Sequence, residues 1–345
     1  MTGNPGVDRI DDAIQLAGAY FDTGNHERAR EVLRRSLSQH PGDPSLLAQL
    51  ARAEYLLDNY PSAATSAYAA LSAAPHDELA MRIYALSLAG LGRLYDALWM
   101  AWRGVIAHPN EPLQHRVYAR LLQQSRQLPS AFLAVDESLR LDPASPDALV
   151  LRGSILHDLG RMSESTASYR QALSLDASHA AALHNMAVNR MHRGNFRRAV
   201  RGFLGAAGSD PTLGDLVRRN IGAVLANILT RATVLSAALG LLVAVAGTEH
   251  SSGQSTLSLR VMTGLLTTLL IGILGWLLRA IPRRILASAL RDRVVVAARI
   301  VHALMAVGVG GWATVFGAAA WMTPVGVLLI ISGVIVVRVG LITGM

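Results

Sequence analysis

Glu78 to Glu111 reads ELAMRIYALSLAGLGRLYDALWMAWRGVIAHPNE. Met81, Tyr84, Ala85 and Leu88 recur at spacings of three and four, which predicts a helix with one buried stripe. Gly92 then suits a left-handed residue just past that helix. A second apolar run follows, and Pro109 closes it because proline cannot continue a helix interior. The same pattern returns in both directions with a 34-residue period. The eighth position of the unit reads Ala17, Ala51, Ala85, Ala119, Gly153 and Ala187, and the twentieth reads Ala29, Ala63, Ala97, Ala131, Ser165 and Ala199. The fifteenth is glycine in four units and Asp58 or Arg126 in the others. The thirty-second is proline in five and Ala177 in one. Six units run from Ile10 to Leu213 without insertion or deletion.

Small side chains at the eighth and twentieth positions allow two antiparallel helices to cross closely. A fixed period of this size marks a stacked helical array. The unit resembles the tetratricopeptide repeat, a helix-turn-helix motif, and the resemblance covers residues 10–213. It departs at the usual tryptophan position, which holds Ala13, Leu47, Met81, His115, Leu149 and Leu183. The resemblance implies an all-α superhelix of six helical hairpins. It also implies a protein or peptide ligand in the groove lined by the first helix of each unit.

The chain has 345 residues and no cysteine, so disulfides, a thiolate nucleophile and cysteine metal sites are excluded. All 32 basic residues are arginine, a pattern read as bacterial codon bias rather than phosphate chemistry. The net charge of +8 belongs to one region. Residues 1–213 hold 21 arginines and 21 carboxylates, whereas residues 214–345 hold 11 arginines against Asp215, Glu249 and Asp292. Arginine beside apolar spans sets membrane orientation, and this argues against nucleic acid as the partner.

Four apolar stretches follow the repeats, at roughly Ala232–Thr248, Val261–Leu278, Ile300–Trp321 and Val325–Ile342. They predict a four-helix transmembrane domain over residues 232–345, preceded by a capping or juxtamembrane helix over 214–231 and, at the other end, an N-terminal tail over 1–9. Arg218, Arg219 and Arg231 precede the first span, and six arginines from Arg279 to Arg299 surround the middle loop. The positive-inside rule then places both termini and the repeats in the cytoplasm, on a bacterial inner membrane. Residues 1–22 lack a signal-peptide layout. Pro282–Arg293 reads either as a helix in the headgroup region or as a solvated loop. Arg338 is close enough to the chain end to reach the cytoplasmic surface. Glycines in the third span, together with Gly340 and Gly344, predict close helix packing within the chain or through a homo-oligomer.

No motif for chemistry is present. There is no phosphate-binding glycine loop, no HExxH and no G-x-S-x-G, and His184 and His192 lack carboxylate partners for a metal. The expectation is a protein that is not an enzyme and needs no cofactor or metal. Mapped onto the family's groove, the fifth position carries Arg82, Arg116 and His184, the ninth Arg52 and Arg120, and the twelfth Tyr55, Gln123 and His157. The four arginines suit an acidic segment or a free C-terminus, since a guanidinium holds a carboxylate bidentately. The competing expectation is a solvated face paired with Glu54, Glu78 or Glu111. The lysines and asparagines of the family's carboxylate clamp are absent. The reading that follows is a membrane-anchored interaction scaffold in contact with the lipid bilayer. The alternative is a repeat-regulated subunit of a membrane enzyme, transporter or channel.

Overall fold

Each 34-residue unit becomes one helical pair. The computed structural model describes residues 10–253, 255–280, 294–317 and 319–342. The tail Met1–Arg9, the segment Pro282–Arg293 and Gly344 lie outside the described residues. The pairs are α1 (Ile10–Asp22) with α2 (His26–Gln39), α3 (Pro44–Leu56) with α4 (Tyr60–Ala73), and α5 (Glu78–Gly90) with α6 (Leu94–Ala107). They continue with α7 (Pro112–Gln124) and α8 (Leu128–Leu141), α9 (Pro146–Asp158) and α10 (Met162–Leu175), and α11 (Ala180–His192) and α12 (Phe196–Ser209). After a 3-10 turn at Pro211–Leu213 come α13 (Gly214–Ser251), α14 (Leu257–Ala280), α15 (Val294–Phe316) and α16 (Met322–Ile342). No strand occurs among the described residues.

The column residues explain the pairing. All twelve residues of the eighth and twentieth positions are buried, so no side chain larger than a serine separates the paired helices there. Gly153 has a specific reason to lack a Cβ, which would stand 2.5 Å from Cε1 of Tyr169. Burial pushes the Tyr169 hydroxyl up to about 12, against an opposing hydrogen bond with Ser165, so the ring sits in the core as a neutral group. At the fifteenth position the backbone is left-handed in all six units. Gly24, Gly92, Gly160 and Gly194 have φ between +72° and +77°, and Asp58 and Arg126 adopt +57° and +62°. The turn geometry is therefore imposed even where glycine is missing. Asp43 and Asp77 cap the helices that follow them by accepting from Leu46 N at 2.8 Å and Ala80 N at 2.7 Å.

Contacts divide the chain into two compact units, Met1–His179 and Ala180–Met345. The first holds five helical pairs. In the second, the sixth pair packs with the apolar helices. Ala199, Val200 and Phe203 of α12 are buried with Val217, Ile221, Val224 and Leu225 of α13, which covers the apolar face an outermost repeat would otherwise present. The expected cap and first span are one uninterrupted helix of 38 residues, about 57 Å long at ~1.5 Å per residue.

Four helices, α13 to α16, are long and apolar enough to cross a membrane. Their shared core contains Ala232, Leu239, Leu270, Ala306 and Leu329. The tightest crossing joins α13 to α16, where a Cβ on Gly240 would meet Gly326 O at 2.8 Å and one on Gly247 would meet Thr323 N at 2.8 Å. Of the glycines expected to pack in the third span, Gly310 lies against Thr267 and Leu239, while Gly308 and Gly311 face open space. Hydroxyls in these helices bond backward to their own helix, as Thr233 does to Leu229 O and Thr267 to Thr263 O, each at 2.8 Å. Arg260 donates to Thr314 O and Val315 O, both at 2.6 Å, and so caps the C-terminal end of α15.

Two substitutions test the pairing rule in full-length protein melted in detergent. Arg126→Gly relieves a left-handed non-glycine residue and should raise stability by about 1 kcal/mol. Gly153→Ala should lower it by about 1–3 kcal/mol through overpacking on Tyr169. A neutral result for Gly153→Ala would show that the α9–α10 crossing is not limited by this contact.

Candidate functional site

The first helices α1, α3, α5, α7 and α9 lie beside one another in the first unit. Their second, fifth, ninth, twelfth and thirteenth positions meet along one face. Arg52 of α3 stands 4.2 Å above the Phe21 ring of α1, a cation–π contact. Burial and the nearby charge of Arg82 push its guanidinium pKa down, and Asp22 opposes them. Arg82 of α5 pairs with Glu78 at 3.0 Å. Arg116 of α7 pairs with Asp147 of α9 at 2.9 Å, and His179 Nε2 is 3.2 Å from the same carboxylate. Gln123 donates to Ser154 Oγ at 2.9 Å and to Asp158 Oδ2 at 2.7 Å. Tyr55 is half-buried with its ring 5.8 Å from that of Tyr60. His157 is half-buried in α9. Arg120 is exposed and makes no ion pair among the described residues.

The geometry thus brings Arg52, Arg82, Arg116, Arg120 and Gln123 into one row but neutralises part of it. Arg82 and Arg116 already hold carboxylates. Glu54, one of the three acids considered as a partner for these arginines, is 1% exposed and faces α2, where Arg34 reaches it at 2.6 Å. What remains without an ion pair among the described residues is Arg52 and Arg120, with the Glu78-paired Arg82 beside Arg52, flanked by Asp22 at one end and by Asp147 and Asp158 at the other. His184 lies in the second unit, is 8% exposed, has its ring 5.4 Å from that of Phe203 in a tilted contact and lies 3.2 Å from Asn220 Nδ2. Helix α13 supplies Asn220 and closes over it.

Sequence reasoning missed a second surface. Tyr95, Trp99, Trp102 and Ile106 are exposed along α6, Tyr95 by 83%. Their spacing of four, three and four puts them on one helix face. Arg103 lies 4.9 Å over the Trp99 ring. Large aromatics and arginine on a surface are the composition of binding hot spots. The signal was present as LYDALWMAWRGVI, but apolar spacing alone does not distinguish an exposed stripe from a buried one. Among the described residues no group of three His, Asp or Glu side chains could hold a metal.

Stacked helical pairs with this period define a helical-repeat protein of the interaction-module class. Residues 11–53 and 146–179 match tetratricopeptide-repeat family models. Among solved structures, the chain is similar to the APC/C hetero-tetramer Cut9-Hcn1 at 14% identity and a TM-score of 0.57, over 63% of this chain and 43% of that one. It is also similar to an IFIT1 monomeric mutant with Gppp-AAAA at 15% identity and a TM-score of 0.56, over 62% of this chain and 54% of that one. The chain therefore spans about half the length of these structures or less, and the likeness concerns the fold alone. No curated protein sequence matches it. Tetratricopeptide repeats are thus matched at two places in the chain, and four apolar helices lie toward its C-terminal end.

The buried His184 generates a pH prediction. Burial pushes its pKa down, so the folded protein holds it neutral. The stability this contributes is full above about pH 6.5, the unfolded value, and is lost as pH falls through the lower folded value. Acidification should destabilise the second unit, and His184→Gln, which keeps a hydrogen-bonding partner for Asn220, should flatten the dependence. Equal slopes in wild type and variant would remove His184 as the source.

Proposed function

We propose that the protein is a membrane-anchored scaffold that recruits a cytoplasmic protein to the bacterial inner membrane. The first-helix face of the repeats is the capture surface, and the ligand is an acidic segment. Tetratricopeptide repeats are protein-interaction modules, and the observation that supports the finer reading is that the centre of this face is only partly compensated, Arg82 alone holding a carboxylate there. Arg120 has no anionic partner among the described residues, and Arg52 and Arg82 press on each other electrostatically. A ligand carboxylate there relieves like-charge repulsion and gains charge-assisted hydrogen bonds. Asp22, Asp147 and Asp158 at the ends repel a longer acidic run, which limits the ligand to a short segment.

Anchoring rests on the outward faces of the C-terminal helices. Val234, Leu241, Leu265, Leu304, Leu328 and Ile335 are all more than half exposed, an arrangement suited to hydrocarbon rather than water. Trp312 with Trp321 at one end and Trp276 with Arg279 at the other mark two interfaces. Arg260, near the first end, and Trp276 are about 24 Å apart along α14 at ~1.5 Å per residue. The arginine distribution supports a cytoplasmic side for the repeats and both termini on this reading.

A second reading, a repeat-regulated subunit of a membrane enzyme, transporter or channel, draws on Arg299. This side chain is 1% exposed inside the C-terminal helices, donates to Ala226 O at 3.2 Å and leaves Nε without a partner among the described residues. A buried arginine among spans is a functional candidate. Against that reading, His302 and Thr267 are buried and already bonded, His302 to Leu329 O at 2.9 Å.

Crosslinked pull-down from solubilised membranes separates the readings. Deleting residues 10–179 removes the first compact unit and leaves the second whole. A single cytoplasmic partner should be captured by the full chain and lost with the deletion. The triple change Arg52→Ala, Arg82→Ala and Arg120→Ala should lower its recovery by about tenfold. Partners that persist after the deletion would move the function into the apolar helices.

A further inference from the structure

We propose that the recess formed by the sixth helical pair with α13 and α14 selectively binds one anionic phospholipid. The inference rests on the membrane-anchored reading.

Within the second unit, the turn before α12 and the first turn of that helix form one wall of a groove of about 750 Å³, and α13 and α14 form the other. Its polar end carries Arg197 and Arg231. Its apolar floor continues along α14 through Ile273, Leu269 and Leu265. A second cavity of about 910 Å³ runs down the neighbouring face of α14 past Ile271 and Leu278, and adds Arg201 and Arg279. Arg197, Gly272 and Trp276 line both. A Cβ on Gly272 would meet nothing within 4 Å, so the wall shared by the two cavities has open space at this position. A charged end shared by both cavities, with the apolar floor of the first groove continuing along α14, matches a phospholipid headgroup with an acyl chain beside it.

Charge selects the headgroup. Arg197, Arg201, Arg231 and Arg279 are exposed, and none forms an ion pair among the described residues. Residues 180–345 contain 16 arginines and four carboxylates, Asp210, Asp215, Glu249 and Asp292, and Asp215 is taken by Arg218 at 3.4 Å. Arg231 stands 5.2 Å over the Phe196 ring, which holds its guanidinium on the α12 side of the groove. Trp276 places this level at the membrane interface, where indole rings collect. Guanidinium groups converging there bind a phosphodiester bidentately. A zwitterionic lipid carries its own cation to that position and loses the advantage.

The test is native mass spectrometry of full-length protein extracted from vesicles of phosphatidylcholine with a minority of phosphatidylglycerol. Wild type should retain phosphatidylglycerol over phosphatidylcholine by about tenfold relative to the vesicle. Arg197→Gln with Arg201→Gln should abolish the enrichment, and Gly272→Leu, which leaves every charge in place, should reduce retained lipid of both kinds. Unchanged enrichment in the double arginine variant, or undiminished lipid in Gly272→Leu, would overturn the proposal. Displacement of the lipid by soluble glycerol phosphate at equal affinity would also overturn it, by assigning the site to a free phosphate. Alkaline extraction of the same vesicles tests the underlying reading. Release by alkali defeats anchoring itself, whereas firm retention without enrichment defeats only the lipid site.

Discussion

The whole array depends on two helices coming within a methyl group of each other. Ala17 against Ala29, and the equivalent residues in the next five pairs, leave no room for a longer side chain at either position. That approach sets the packing distance within each pair, and repetition of the same distance stacks the pairs in register. The left-handed turn residue follows from it, since the chain must reverse direction between Asp22 and His26 and at the equivalent place in every later pair. Asp58 and Arg126 adopt that conformation because the packing on both sides demands it, at a local cost. Tyr169 shows the rule from the other side, because a large ring enters the α9–α10 crossing only where Gly153 has surrendered its Cβ.

A different constraint governs the C-terminal helices. Apolar side chains occupy both their inner and outer faces, so burial of apolar area cannot by itself decide which faces meet. Close backbone approach and satisfied polar groups decide instead. Gly240 and Gly326 bring α13 and α16 into contact. Serine and threonine hydroxyls donate hydrogen bonds to carbonyl oxygens of the preceding turn, and Arg260 caps the end of α15. Helix α13 obeys both regimes. Its first half presents Val217, Ile221, Val224 and Leu225 to the sixth repeat, and its second half presents small residues to α16. No turn residue separates the halves.

Unbalanced charge underlies the proposed roles of both units. On the repeat face, carboxylates from neighbouring helices offset some arginines and leave others without partners. In the second unit there are too few carboxylates to offset most of the arginines. Both places suit anions, one from a protein and one from a membrane, and the aromatic stripe on α6 adds a surface without charge selection beyond Arg103.

The repeat period, the number of helical pairs, the left-handed turns at the four glycines and the four apolar stretches were legible in the amino-acid order. Each is a local property, written in side-chain size, glycine placement and apolar spacing within one unit. The order of residues also placed the arginines of the groove on one face, because residues one repeat period apart recur on equivalent helices. Which of those arginines stay unpaired was settled by packing. Asp147 neutralises Arg116 from the next helical pair, and Glu54 turns away toward Arg34. Packing also brought His184 beneath Asn220, ran the cap into the first span and opened the recess at Gly272. These outcomes depend on distances between helices far apart in the chain, and no periodicity within a single helix encodes such a distance.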